Sequence, residues 1–202
     1  MIDVRQITAL QANTVRLWHS QPVDNPHRDF LHLVCEQHKY NFLLWHEEDL
    51  ARSRDASDQE IAQVKRNIDQ LNQKRNDWIE RLDDGVKRML DERGIVPAAG
   101  AKWNTETPGA TIDRLSIVAL RIYHMEEQTE RSDAAPEHIA KSQDKLVVLR
   151  TQQDDLSTAL GELVADLFAG RKRLKLYRQM KMYNDPALNP YLYNAEKLRK
   201  AG

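Results

Sequence analysis

Apolar residues recur along this chain at steps of three and four, the period of a helix, in five successive stretches. Residues 5–19 place Ile7, Leu10, Thr14, Leu17 and Trp18 on one face. The segment "SQPVDNP" breaks that pattern. Asn25 followed by Pro26 then reads as a helix start, with Asn as the cap and Pro in the first turn, so a second helix is predicted over about 27–53. Ser57 with Glu60 three residues on is a capping box. Beyond it Ile61, Val64, Ile68, Leu71, Trp78, Ile79, Leu82, Val86 and Met89 hold one face until Gly94, which predicts a third helix about 50 Å long. Residues 94–107 form the longest loop. Thr107 caps a fourth helix, with Pro108 in its first turn and Leu115, Val118, Ile122 and Met125 as its apolar stripe. A fifth helix runs from about 136, with Leu146, Leu149, Leu156, Leu160, Leu163 and Leu167 inward and Gly170 closing or kinking it. No segment alternates with the period of a strand. The expected class is all-α, a helical bundle with a long antiparallel helical hairpin, in a single domain over 1–202 whose residues 171–202 wrap the bundle.

Composition narrows the class of function. The chain has 202 residues, of which 30% are charged and 41% hydrophobic, enough apolar material for a core. Thirty basic residues against 31 acidic ones leave a formal net charge of −1, which argues against coating nucleic acid by bulk charge. Cys35 is the sole cysteine, so neither an intramolecular disulfide nor a cysteine-based zinc site is available. No secretory pattern opens the chain and no apolar run reaches a membrane span, so a cytoplasmic protein is expected.

Four stretches carry candidate chemistry. In "HKYNFLLWHEEDLARSR" a helix aligns His38, Asn41, Trp45, Glu48 and Arg52, with His46 and Asp49 on adjacent stripes. One reading is a ligand face, with Arg52 for an anion and Glu48 or Asp49 as base or metal ligand. The plainer one is a wet face with a Glu48–Arg52 pair, Phe42 and Leu43 lying inward. In the third helix Asp69, Asn72 or Gln73, Asn76, Glu80 and Asp83 form a polar stripe rich in weak helix formers, which suits either contact with another helix or a solvated arm. "TPGATIDRLSIVALRIYHMEEQ" opens with backbone N–H groups at 109–111 that favour an anion, and Asp113 and Arg114 stand in its first turns. Along it Asp113, Ser116, Leu120, Tyr123 and Glu127 share a face flanked by His124. Finally "LYRQMKMYNDPALNPYLY" follows a basic run. Its Asn/Asp–Pro units turn the chain, and Arg178 and Lys181 are placed to face the polar helices, as a lid or wall of a cleft. Basic residues interleaved with tyrosines also fit single-stranded RNA, but balanced charge and the lack of a nucleic-acid motif argue against nucleic acid as a partner. His38, His46 and His124 with Glu48 and Asp49 offer nitrogen and oxygen ligands to iron, manganese or zinc, without the Glu-x-x-His pairs of two-metal bundles.

The blocks "HKYNFLLWHEEDLAR", "KRNIDQLNQKRNDWIE", "TPGATIDRLSIVALRIYHM" and "YRQMKMYNDPALNPYLY", in this order, resemble a bacterial family catalogued as domain of unknown function 4254. The resemblance implies a setting near glycosyltransferases of cell-envelope glycan synthesis. It carries no catalytic role to any residue.

Three readings of function follow. The first is a binding or accessory protein whose cleft, gathering His38, Asn41, Glu48, Asp49, Arg52, Asp113, Arg114, His124, Arg178 and Lys181, takes an anionic sugar phosphate or nucleotide-sugar. The second is an enzyme using Glu48 or Asp49 with His124 as an acid–base pair on such a ligand. The third is an adaptor or homodimer built on the helices 58–93 and 136–168. Cofactor and metal content are left open by the residues.

Overall fold

The computed structural model describes residues 2–178, 180, 182 and 185–194. It is all-α. Helices α1 (Val4–Trp18), α2 (Asp29–Leu50), α3 (Asp58–Glu92), α4 (Pro108–Thr129) and α5 (Pro136–Phe168) carry the fold. Among the described residues β structure is limited to β1 (Lys102–Trp103) and β2 (Lys172–Arg173), which pair in parallel. No helix among the described residues is long and apolar enough to cross a membrane.

The helix ends follow from local chemistry. Asp3 accepts from the N–H of Arg5 at the start of α1. The Ser57–Glu60 capping box is formed in both directions. Thr107 Oγ1 accepts from the N–H of Ala110, with Pro108 at the first position of α4. Gly170, at φ +71°, ends α5 in a conformation that costs any other residue strain. The start of α2 departs from expectation. Asn25 and Pro26 lie before the helix, which opens at Asp29 with Arg28 in the cap position and no side-chain cap. The Asn25 side chain is committed elsewhere: its Oδ1 accepts from the N–H of His27, ahead of the helix, and its amide donates to the carbonyl of His32 and to Glu36 Oε1, tying the α1–α2 connection to the first turns of α2.

α4 packs against each of the other four helices. α2 and α3 run antiparallel, Glu47 meeting Asn67 at one end and Phe30 meeting Gly85 at the other. α4 and α5 also run antiparallel, with Glu126 beside Arg150 and Gln128 beside His138. Ile7, Leu10, Val15 and Trp18 of α1 meet Phe42, Leu82, Ile112, Leu115, Leu120 and Leu160 in the main core. Val86, Leu90, Leu163 and Leu167 form a smaller one. The apolar face expected of α5 is inward, with Leu146, Leu160, Leu163 and Leu167 buried. After Gly170 the chain pairs β2 with β1, and Arg178 then bonds Glu80 and Asp84 of α3.

The N-terminus of α4 already has its anion. Asp83 of α3 accepts from the N–H of Gly109 at 2.7 Å and from the Thr107 hydroxyl at 2.6 Å. The helices meet so closely there that a Cβ on Gly109 would lie 2.6 Å from the Ile79 carbonyl oxygen and 2.8 Å from Asp83 Oδ1. Gly109→Ala therefore loses roughly 1–3 kcal/mol by overpacking. A Cβ on Gly161, inside α5, meets nothing within 4 Å, and Gly161→Ala gains up to about 1 kcal/mol of helix propensity. Urea midpoints read both changes; shifts of the same sign would contradict the close approach of α3 to α4.

Candidate functional site

The polar residues of α2 split into two groups that the sequence pattern does not separate. Gln37, His38 and Asn41 are buried, the last two on a face expected either to hold a ligand or to be wet, while Glu48, Asp49 and Arg52 stand at the solvent end. The cause is position: α2 is covered by α1 and α4 on one side and α3 on the other. Phe42 is buried as expected and Leu43 partly so.

The buried group converges on Asp113. Its Oδ1 accepts from Gln37 Nε2 at 2.7 Å, Asn41 Nδ2 at 2.9 Å and Arg75 Nε at 2.8 Å, and its Oδ2 accepts from Arg75 Nη2. Asn41 also donates to Ser116 Oγ at 2.8 Å, and Ser116 Oγ lies 2.6 Å from His38 Nδ1. Gln11 of α1 donates to the carbonyl of Ile112, one residue before Asp113. Trp18 stacks on the His38 ring. Bonding to Asp113 holds the Arg75 guanidinium above its ordinary pKa. Burial pushes His38 down to about 3, against a smaller opposing contribution from the Gln11 backbone, so its ring is neutral at physiological pH. Cys35 is no candidate nucleophile, because burial, reinforced by Glu36, pushes its thiol up to about 12.

The solvent-facing group belongs to a groove along α4. Arg114, Ile117, Arg121, Met125 and Gln128 lie at helical steps on its floor. Three adjoining cavities follow it, of about 570, 300 and 590 Å³, and Arg121 lines all three. The middle one is walled by Asn41, Trp45, Glu48, Asp49 and Arg52 of α2, with Arg75 reaching in from α3. The outer two are walled by α5: Gln152, Asp155 and Leu156 on one side, Val148 and Leu149 on the other. Arg52 is paired with Glu48 and Arg75 with Asp113. Arg121 makes no hydrogen bond or ion pair among the described residues.

The structure thus brings Asn41, Glu48, Asp49 and Arg52 to one cavity, with Asp113 bonded behind its Arg75. Arg114 lines the neighbouring cavity and is held by Glu106. His38 is sealed in the core. His124 lines the third cavity, stacked on Trp45, and donates from Nδ1 to Glu127 Oε2 at 2.8 Å. Its carboxylate partner is therefore Glu127, where Glu48 or Asp49 was expected. Among the histidines weighed as metal ligands, His46 and His124 are grouped with His19, whereas His38 bonds Ser116. Arg178 lies against Glu80 and Asp84 of α3, lining none of these cavities. Lys181 lies outside the described residues. The other basic residues near Arg178 serve the chain itself: Arg171 and Lys172 bond Asp166, and Arg173 and Lys175 lie over Trp103. Tyr191, placed in the wrapping segment, is 88% exposed.

Sequence reasoning missed Gln11, Gln37, Arg75, Arg121 and His19. Arg75 had a usable signal: an acidic residue beside the apolar stripe of α4 calls for a cation on a facing helix. His19 had none, since nothing in its spacing relates it to His46 or His124.

Two predictions follow from the buried network. Asp113→Ala leaves Arg75, Gln37 and Asn41 without their acceptor and costs roughly 3–5 kcal/mol, while Asp113→Ala with Arg75→Met costs less than the two single changes added together. Strict additivity in urea denaturation would contradict the coupling. For pH, the His38 ring is depressed from 6.5 to about 3, so its share of stability is full above pH 6.5 and is lost as pH falls toward 3. The midpoint of thermal unfolding is expected to fall over that window and less steeply in His38→Asn; parallel profiles would refute the assignment.

A family model described as "Protein of unknown function (DUF4254)" matches residues 31–176, which take in α2 from its third residue, all of α3 to α5 and the groove between them. No curated protein and no solved structure matches the chain.

Proposed function

The chain belongs to the DUF4254 family, and we propose that it binds a phosphorylated small molecule, a sugar phosphate or nucleotide-sugar, in the groove along α4. In this reading it acts in the cytoplasm as an accessory to cell-envelope glycan synthesis, the setting implied by the family resemblance.

One observation carries the ligand class. Arg121 stands unpaired among the described residues where three cavities adjoin, with three further guanidiniums, those of Arg52, Arg75 and Arg114, along the same groove. An unpaired guanidinium in a concave site is suited to bidentate contact with phosphate. Glu48 and Asp49 beside it supply acceptors for sugar hydroxyls, so the middle cavity offers partners to both halves of a phosphorylated sugar. The Trp45 ring adds a flat apolar surface toward the third cavity. The acid–base alternative, Glu48 or Asp49 with His124, has less support, because Glu48 is engaged by Arg52, the His124 Nδ1 by Glu127, and Asp49 and His124 line different cavities.

Titration calorimetry with a nucleoside diphosphate sugar and a hexose 1-phosphate tests the reading. The wild type is expected to bind one of them at or below millimolar concentration. Arg121→Ala is expected to weaken that binding by about tenfold or more, a loss of ~1.4 kcal/mol, with little change in stability because Arg121 has no partner to lose. Absence of heat with both probes, or equal binding by Arg121→Ala, would remove the proposal.

A further inference from the structure

We infer that His19, His46 and His124 form a binding site for a divalent transition-metal ion, zinc by the chemistry of its donors. This site is separate from the phosphate contacts proposed above and does not depend on them.

The three residues come from the end of α1, from α2 and from α4. Each offers one ring nitrogen, and these nitrogens all lie within 4.8 Å of one another. A tetrahedral zinc ion with bonds of about 2.0–2.1 Å holds its nitrogens about 3.3 Å apart, so modest inward movement of the rings completes the set. The rings already cross steeply, at 72° for His19–His46, 73° for His19–His124 and 80° for His46–His124. Edges that converge at steep angles can share one ion, which stacked rings cannot.

Hydrogen bonds select the nitrogen that is free to take a metal. His19 Nδ1 lies 2.6 Å from the carbonyl of Val15, which only accepts, so that nitrogen carries the proton. His124 Nδ1 donates in the same way to Glu127 Oε2. In both residues Nε2 is left with its lone pair. His124 Nε2 is buried and has no hydrogen-bond partner among the described residues, a polar atom that a metal bond would satisfy. A carbonyl or carboxylate on the far nitrogen is the usual way in which a metal-binding histidine is oriented and made more basic.

The surroundings fix the rings further. Tyr123 stacks on His19, Trp45 stacks on His124, and Phe42 sets its edge against His19 and His46. An all-imidazole set selects zinc or its first-row neighbours over magnesium and calcium, which take oxygen. Three protein ligands leave a fourth position for water or a ligand.

The test uses full-length protein stripped by dialysis against a chelator and titrated with Co²⁺. A visible d–d absorption band saturating at about one Co²⁺ per chain is expected, displaced by Zn²⁺ and untouched by Mg²⁺. His46→Asn and His124→Asn should lose the saturable band, His138→Asn should keep it, and Glu127→Gln should weaken affinity about tenfold or more. Absence of a saturable band in the wild type, or a band unchanged in both His46→Asn and His124→Asn, overturns the site. Should either variant unfold, imidazole nitrogen resonances of the wild type decide: Zn²⁺ must shift His19, His46 and His124 and leave His138 unmoved. Shifts confined to other histidines overturn the inference. Sugar-phosphate calorimetry on the stripped protein keeps this outcome distinct from that of the groove.

Discussion

The bundle is organised around one buried carboxylate. Asp113 takes four donated hydrogen bonds from α2 and α3, and the adjoining backbone carbonyl takes another from α1. An ionised carboxylate removed from water is tolerated only when its lone pairs are met and its charge is countered, and here Arg75 does both. The arrangement fixes more than a hydrophobic interface does. Leucine faces tolerate some rotation and sliding of helices, whereas bonds of 2.7–2.9 Å to one group set the register of α2 and α3 on α4 together. Asp83 repeats the device about two turns along α3, where it ties the first N–H of α4 and forces Gly109 against the backbone of Ile79.

This placement gives the two sides of α4 different work. One side, through Asp113, Ser116, Leu120 and Tyr123, faces α1 and α2 and ends at the histidine cluster. The other, through Arg114, Ile117 and Arg121, is the groove floor. Trp45 links the two, since it lines the groove and stacks on His124. A helix that is buried on one side and concave on the other needs neighbours held at defined distances, and the Asp113 network supplies that between α2, α3 and α4.

How much of this could be read from the sequence depended on whether the signal was local. Helix periods, the Ser57–Glu60 box, the Thr107 cap and the stop at Gly170 were legible because each is decided within a few residues. The start of α2 was misread because Asn25 looked like its cap, yet the Asn25 Oδ1 accepts from the N–H of His27, ahead of the helix, while its amide holds His32 and Glu36. The stripe Asp113, Ser116, Leu120, Tyr123 was legible as a face but not as a buried one, because Asp and Ser read the same in water as in a satisfied core. Arg75 and His19 depend on which helices touch, which a single sequence does not state. The polar stretch after Gly170 looked like a cleft wall, but Arg178 answers to Glu80 and Asp84.

The charges on the groove can be sorted by what already neutralises them. Arg75 is cancelled by Asp113 and Arg52 by Glu48, so neither adds much net field to the cavity, although both still present donors. A guanidinium has five N–H groups, and Asp113 uses only those on Nε and Nη2 of Arg75. A phosphate arriving at the cavity therefore need not break the pair that holds the bundle together. At the middle cavity, the positive charge without an ion pair among the described residues is that of Arg121, which is bonded to no other element of the fold. Fold and ligand thus draw on different arginines. Loss of Arg75 disturbs the register of three helices along with the cavity, whereas loss of Arg121 touches the cavity alone, and that separation allows a binding defect to be told from a folding defect in this protein.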